Sequence, residues 1–170
     1  MSDQSHRESA SDIGPEAEIS NPALEGFDFL LGTWRTQGTH PHVPGKTFHG
    51  RTSFEWGYGG AFLVMHSEIE EPEIPSGVAI IASDDAAGPW SMVYFDERGV
   101  SRRFTVSVGP GEMATQLEDP KFSQTMTLRA DPRTGTLNSH GRMKEGDGPW
   151  QDDLELTYRR DDAGRGRFGV

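Results

Sequence analysis

Short segments of alternating polar and apolar residues, separated by turn-forming clusters, restrict the fold of this chain more than any other feature. Two of the segments read KTFHGRTSFEW and VSRRFTVSV, and both alternate with a period of two. The connections are rich in Gly, Pro and Asp, as in Asp96-Glu97-Arg98-Gly99 and Gly146-Asp147-Gly148-Pro149. About ten such segments follow one another, which predicts a meander of antiparallel strands joined by hairpins.

A long meander either leaves exposed edges or closes on itself, and closure removes the edges. The expected fold class is therefore all-β: an antiparallel up-and-down barrel of about 8–10 strands. A β-sandwich is the alternative. The composition agrees, because 21 Gly, 11 Pro and a hydrophobic fraction of 33% suit short strands better than long helices.

One helical pattern precedes the strands. Asn21-Pro22 suits a helix start, and four apolar residues follow at helical spacing before Gly32: Leu24, Phe27, Leu30 and Leu31. This predicts a short N-terminal helix that caps the barrel. After Gly32 the period changes to two, and Trp34, Thr36 and Gly38 share one face of the first strand.

The expected domain is the segment 21–160, between a disordered polar tail over 1–20 and a flexible tail over 161–170. A net charge of −11 argues against nucleic acid and anionic membranes as partners. The chain has no Cys, which excludes thiolate sites, and shows no signal peptide or apolar membrane segment, so a cytoplasmic protein is expected. The sequence leaves a homodimer open.

Two elements resemble the calycin superfamily of lipocalins, fatty-acid-binding proteins and nitrobindins. FLLGTWRTQGTH joins a helix to a Gly-x-Trp strand start, and Trp56-Gly57-Tyr58-Gly59-Gly60-Ala61-Phe62-Leu63 opens the central strands. Together they look like the bacterial DUF1579-type proteins of lipocalin-like fold, with one residue more before the Gly pair. The resemblance covers roughly 24–160.

The resemblance implies a calycin-like barrel whose closed end is plugged by Trp34. It also implies that a basic residue of the last strand stacks on the Trp34 ring. In DLELTYRR, Leu154, Leu156, Tyr158 and Arg160 share one face, so Arg160 is the first candidate and Arg159 the second.

The strand faces also predict an apolar barrel interior. It comprises Phe48, Phe54, Trp56, Leu63, Met65, Ile80, Trp90, Met92, Phe104, Val106, Met126, Leu128, Leu137 and Leu156. Arg102 lies on the same face as Phe104, where a cation needs an anion or several hydrogen bonds. The cavity candidates for ligand binding are therefore Arg102, Tyr94, Tyr158, Trp56, Trp90, Met92 and Phe104, with Arg102 at the open rim or paired with an internal Glu as the alternative.

No catalytic or metal-binding motif is recognisable. His40-Pro41-His42 has a chelate-like spacing but is best interpreted as a solvated loop, and the acidic clusters, including Asp152-Asp153, as a solvated rim. Because nitrobindins bind haem through an axial His, the resemblance makes haem b an alternative, with His140 or His66 as the strand histidines available.

The leading hypothesis is non-enzymatic binding of a small hydrophobic or amphipathic molecule in the barrel cavity, without a cofactor or metal. A nitrobindin-like haem protein and an enzyme acting on a small lipophilic substrate are the alternatives.

Overall fold

The computed structural model describes residues 22–83 and 89–162. The tail predicted over 1–20, residues 84–88 and most of the tail predicted over 161–170 lie outside the described residues. A 3₁₀ helix spans Pro22–Leu30. The strands are β1 (Gly32–Thr39), β2 (Phe48–Gly57), β3 (Phe62–Ile69), β4 (Gly77–Ala82), β5 (Trp90–Asp96), β6 (Ser101–Gly109), β7 (Glu112–Leu117), β8 (Phe122–Asp131), β9 (Thr136–Glu145) and β10 (Gln151–Arg160).

Each strand pairs antiparallel with its neighbours in the sequence, and β1 pairs with β10 to close the sheet. The closing ladder begins with Trp34 opposite Arg160 and ends with Thr39 opposite Glu155. The molecule is thus an up-and-down barrel of ten strands, which confirms the predicted fold class and rules out the sandwich. Closure leaves no unpaired edge in the sheet.

The helix is of the 3₁₀ type, and its buried apolar residues recur at every third position. Leu24, Phe27 and Leu30 are completely buried, and with three residues per turn they lie on one side. The ring of Phe27 meets that of Trp90 edge-on, with 5.4 Å between centroids. Since Trp90 begins β5, the helix covers the end of the barrel where β1 also begins. We call this the closed end.

Trp34 fills the closed end. Its indole Nε1 donates a 2.7 Å hydrogen bond to the Leu30 carbonyl, which ties the ring to the last turn of the helix. The Arg160 guanidinium carbon lies 3.8 Å from the Trp34 ring centroid, and this side chain also donates to the Leu31 carbonyl. The structure thus places Arg160, and not Arg159, over the ring.

Ile80 is an exception to the expected interior. It faces outward and is 38% exposed, whereas Ala79 and Ile81 are fully buried inside. The segment GVAIIAS has aliphatic residues at both odd and even positions, so it lacks the polar–apolar alternation that would show which side of the strand faces inward. Pairing with Val64 and Val93, which also face outward, places Ile80 on the outer surface.

The first residue beyond β10 remains part of the barrel. Asp161 is buried, and its carboxylate pairs with Arg51 at 2.8 Å and with Arg35 at 3.3 Å. These ion pairs tie the residue after β10 to β1 and β2. In the part of the chain described, no helix has the length and apolar character needed to cross a membrane.

Candidate binding site at the open end of the barrel

The seven predicted cavity residues lie on inward-facing strand positions. Three pairs follow one another along the β5–β6 ladder from the closed end to the open end: Trp90 opposite Val106, Met92 opposite Phe104, and Tyr94 opposite Arg102. Trp90, Met92 and Phe104 are buried, while Tyr94 and Arg102 are partly exposed. The ladder therefore changes from apolar to polar as it approaches the open end.

The two remaining candidates lie apart from this ladder. Tyr158 is buried on β10, which is separated from β6 by three strands. Trp56, the last residue but one of β2, lies near the closed end and packs, partly buried, against the apolar core. The structure thus brings Tyr94, Arg102, Met92 and Phe104 together, and it places Tyr158 and Trp56 elsewhere on the wall.

Arg102 is an inward-facing cation with neutral neighbours. Its guanidinium carbon lies 4.1 Å from the centroid of the Phe122 ring. Its Nη1 is 3.5 Å from the side-chain oxygen of Gln124, at the outer limit of a hydrogen bond. No carboxylate within residues 22–83 and 89–162 forms an ion pair with it.

A carboxylate lies one residue further along this contact chain. Gln124 donates to the Asp153 carboxylate with a 2.6 Å hydrogen bond, and the second oxygen of Asp153 is 2.8 Å from Nε2 of His40. The side chains of Asp153 and His40 are only 8% and 13% exposed. Both carboxylate oxygens of Asp153 are therefore hydrogen-bonded, one to Gln124 and the other to His40, and the amide of Gln124 separates Asp153 from Arg102.

A β-bulge turns Asp153 inward. Asp152 pairs with Arg142 and Glu155 with His140, so two residues of β10 lie opposite the single residue Gly141. A bulge shifts the alternation of a strand by one position. Asp153 therefore faces inward although Leu156 and Tyr158 do as well, while Leu154 still packs, partly buried, against the apolar core. The alternation expected from Leu154 to Arg160 did not predict the inward position of Asp153.

His40 acts as a tie within the protein. Its Nδ1 accepts the backbone N–H of His42 at 3.1 Å, which leaves the ring proton on Nε2 to be donated to Asp153. Both ring nitrogens are engaged, an arrangement that suits a structural role better than proton transfer to a substrate. The solvated interpretation is therefore wrong for the His40 side chain and for Asp153, whereas His42 in the same loop is exposed.

The hydroxyl of Tyr94 is also engaged. It donates to Asp96, a buried carboxylate that Arg98 holds with hydrogen bonds of 2.7 and 3.2 Å. Partial burial and the adjacent Asp96 carboxylate raise the pKa of Tyr94 to about 12. The hydrogen bonds from Arg98 lower the pKa of Asp96. Next to Arg102, Tyr94 is thus a neutral phenol whose oxygen still has lone pairs for accepting a hydrogen bond.

The opposite wall has buried hydroxyls on Tyr158, Ser139 and Thr36. Burial raises the pKa of Tyr158 to about 12, and its hydroxyl hydrogen-bonds to Ser139. Thr36, which pairs with Tyr158 across β1 and β10, is 4% exposed, and its hydroxyl has no hydrogen-bond partner among the described residues. An unpaired buried hydroxyl is unusual and costs free energy.

The two histidines considered for haem lie outside the barrel. The His66 side chain is 54% exposed, with its Nε2 3.8 Å from Glu55. His140 is 50% exposed, and its Nδ1 lies 2.7 Å from Glu155. An axial ligand for haem within the barrel must face inward, so neither position supplies one. Among the described residues, no three or more His, Asp and Glu side chains are grouped so as to hold a metal ion.

A shallow depression of about 410 Å³ lies on the outer side of the open end. It is lined by Glu118, Asp119, Pro120, Ser123, Lys144 and Trp150. Lys144 occupies one face of the Trp150 ring, with 5.6 Å between its nitrogen and the centroid. The cation and the aromatic ring that line this depression therefore already contact each other and not a ligand.

Comparison with known proteins supports the fold alone. No protein-family model and no curated protein matches this chain, so the resemblance to DUF1579-type proteins has no support beyond the residues that suggested it. Among solved structures, the crystal structure of Rv2717c from M. tuberculosis is similar, with a TM-score of 0.60 and 19% identity. The match covers 82% of this chain and 98% of that one, and it is consistent with a calycin-like barrel.

Proposed function

We propose that this protein binds a small amphipathic molecule that has an anionic head group. Arg102 would hold the head group at the open end, and the apolar part would lie along Phe104 and Met92 inside the barrel. The observation that carries the proposal is the inward-facing guanidinium of Arg102, whose contacts within the described residues are the neutral Gln124 and Phe122.

The local charges at Arg102 support an anion at this position. A partly buried cation is costly without a counter-charge, and no carboxylate of the described residues forms an ion pair with Arg102. The nearest acid of the contact chain, Asp153, is held away from Arg102 by Gln124. A guanidinium in this state is suited to a bidentate carboxylate.

The residues beside Arg102 support the amphipathic character of the ligand. Tyr94 is directly opposite Arg102, and the next inward pair towards the closed end is Met92 and Phe104. If the apolar part of the ligand enters first, it leaves water and packs against Met92 and Phe104, while the head group remains at Arg102 near the open end. Barrels of eight or more strands are wide enough to hold one small ligand.

The test is titration with dansylaminoundecanoic acid, a fluorescent fatty acid, at low protein concentration. We expect saturable binding, and Arg102→Gln weakens it about tenfold or more, because a charge-assisted hydrogen bond is lost. The matched control is Arg103→Gln, which removes the same charge from the outer face of the same strand and should leave affinity within about twofold.

The head group is tested by competition. Undecanoic acid and undecanol have the same chain length, and only displacement by the acid should depend on Arg102. Absence of probe binding, or equal losses in Arg102→Gln and Arg103→Gln, would contradict the proposal.

A further inference from the structure

The outer surface of three neighbouring strands has an apolar face. We call it the outer apolar face, and it consists of Phe62, Val64, Val78, Ile80, Val93 and Phe95. Ile80 is 38% and Phe95 46% exposed, and the other four are partly buried. Barrel strands ordinarily alternate apolar residues inside with polar ones outside, so a cluster of this kind on the outside marks an interaction surface.

The register places five outward-facing residues, one from each strand from β2 to β6, side by side in a row that crosses the outer apolar face. Glu55 pairs with Val64, Val64 with Ile80, Ile80 with Val93, and Val93 with Arg103. The row therefore has an acid at one end, three aliphatic residues in the middle and a base at the other end. At the usual strand spacing it is about 19 Å long.

We infer that the outer apolar face is the contact surface of a homodimer. The two copies would be related by a two-fold axis parallel to the strands. Such an axis brings the Glu55 end of one row to the Arg103 end of the other, twice over. An axis across the strands would instead bring Glu55 against Glu55 and Arg103 against Arg103.

The charges of the row favour a second copy over an unrelated partner. Each row has an acid, Glu55, at one end and a base, Arg103, at the other, so a second copy of the same surface can pair with both charges. Arg103 forms no ion pair within the part of the chain that is described, and Glu55 has only His66 nearby at 3.8 Å. Elsewhere the net charge of −11 makes the copies repel, so the outer apolar face is where they can approach.

The curvature of the barrel limits the strength of this contact. The row bends away from the partner at both ends, so Ile80, Val93 and Phe95 supply the contact and the charges act from its rim. Rim charges chiefly orient partners and affect the association rate. A reversible dimer with a dissociation constant in roughly the micromolar range is expected from a small apolar contact of this kind.

The experiment is sedimentation velocity on the full chain at physiological salt, from about 1 to about 500 μM. The mean mass should rise with concentration from 18.7 kDa towards twice that value. Ile80→Glu should keep the protein monomeric. The matched control, Thr125→Glu, adds the same charge on the outer side of β8 and should leave the dimer unchanged. Circular dichroism and thermal melting establish that both variants are folded.

Charge reversal tests the orientation of the axis. Glu55→Arg and Arg103→Glu should each weaken association several-fold, and the double variant should restore it. A full-length protein that is monomeric throughout the range overturns the inference, as does a dimer indifferent to Ile80→Glu. Single reversals without effect overturn the proposed axis.

Discussion

At the scale of a residue, Thr36 is a polar side chain in the barrel interior whose hydrogen-bonding capacity the described residues do not use. Its side chain is 4% exposed, yet its hydroxyl has no partner in the described part of the barrel. Thr52, on the next strand, is also buried, at 1% exposed, and its hydroxyl lies 3.4 Å from that of Ser67. The two threonines therefore form a natural pair for measuring what an unpaired hydroxyl costs.

We expect Thr36→Val to raise the free energy of unfolding by about 1 kcal/mol, because the isosteric methyl removes a desolvated polar group. Thr52→Val should be neutral or destabilising. Urea denaturation of both variants measures the difference. If Thr36→Val destabilises more than Thr52→Val, the hydroxyl has a partner in solution, and the expectation is wrong.

Two tyrosines make stability depend on alkaline pH. The pKa values of Tyr94 and Tyr158 are both raised to about 12 by burial, and for Tyr94 also by Asp96. The unfolded chain releases these protons near pH 10, so above that pH the folded state binds more protons than the unfolded state. Stability should therefore be unaffected by these groups below about pH 10 and should fall between about pH 10 and 12.

This loss is measured by urea denaturation at closely spaced alkaline pH values, with near-ultraviolet phenolate absorbance followed in parallel. Tyr158→Phe should reduce the slope in this window, because one of the two groups is removed. An unfolding free energy that stays constant from about pH 10 to 12 would refute the expectation.

At the scale of the elements, the closing pair β1 and β10 is unusually close at Gly38. A Cβ at this position would lie 1.7 Å from the Glu155 carbonyl oxygen and 2.7 Å from Leu156. The obstacle is backbone, which cannot move aside as a flexible side chain can. The absence of a side chain at Gly38 thus lets the backbones of the two closing strands lie against each other here.

Gly38→Ala should destabilise the protein by about 3 kcal/mol or more, since the strands must separate to admit the methyl group. The matched control is Gly109→Ala at the end of β6, where a Cβ meets no atom within 4 Å. The control should change stability by less than about 1 kcal/mol. Thermal or urea denaturation measures the loss of stability in the two variants. Equal losses would mean that the strands separate at Gly38 without cost, and the expectation would be wrong.

At the scale of the whole molecule, the contact between His40 and Asp153 joins parts of the chain 113 residues apart. It ties the connection after β1 to the bulge of β10 at the open end. Asp153→Ala should therefore increase hydrogen exchange in residues 40–47 while leaving the helix at the closed end protected. Mass spectrometry of exchanged peptides measures this, with Asp152→Ala as the control because that side chain is 63% exposed. Equal exchange in the two variants would show that the tie does not restrain the connection.

The strands, their turns and their apolar faces follow from the sequence because they depend on local rules. Alternation predicts which set of residues shares a face, Gly and Pro clusters predict the turns, and apolar residues at helical spacing followed by Gly32 predict a helix that stops there. The inward position of Arg102 beside Phe104 follows from the same alternation.

Only the tertiary structure decided which side of ambiguous strands faces inward and which distant side chains meet. Ile80 faces outward because its neighbours across the ladder do, and Asp153 faces inward because a bulge opposite Gly141 shifts the alternation. The partners of Arg102 and of Asp153 lie on other strands. Register and bulges arise from contacts between segments far apart in the chain, so a local pattern predicts the faces of a strand but not what each face meets.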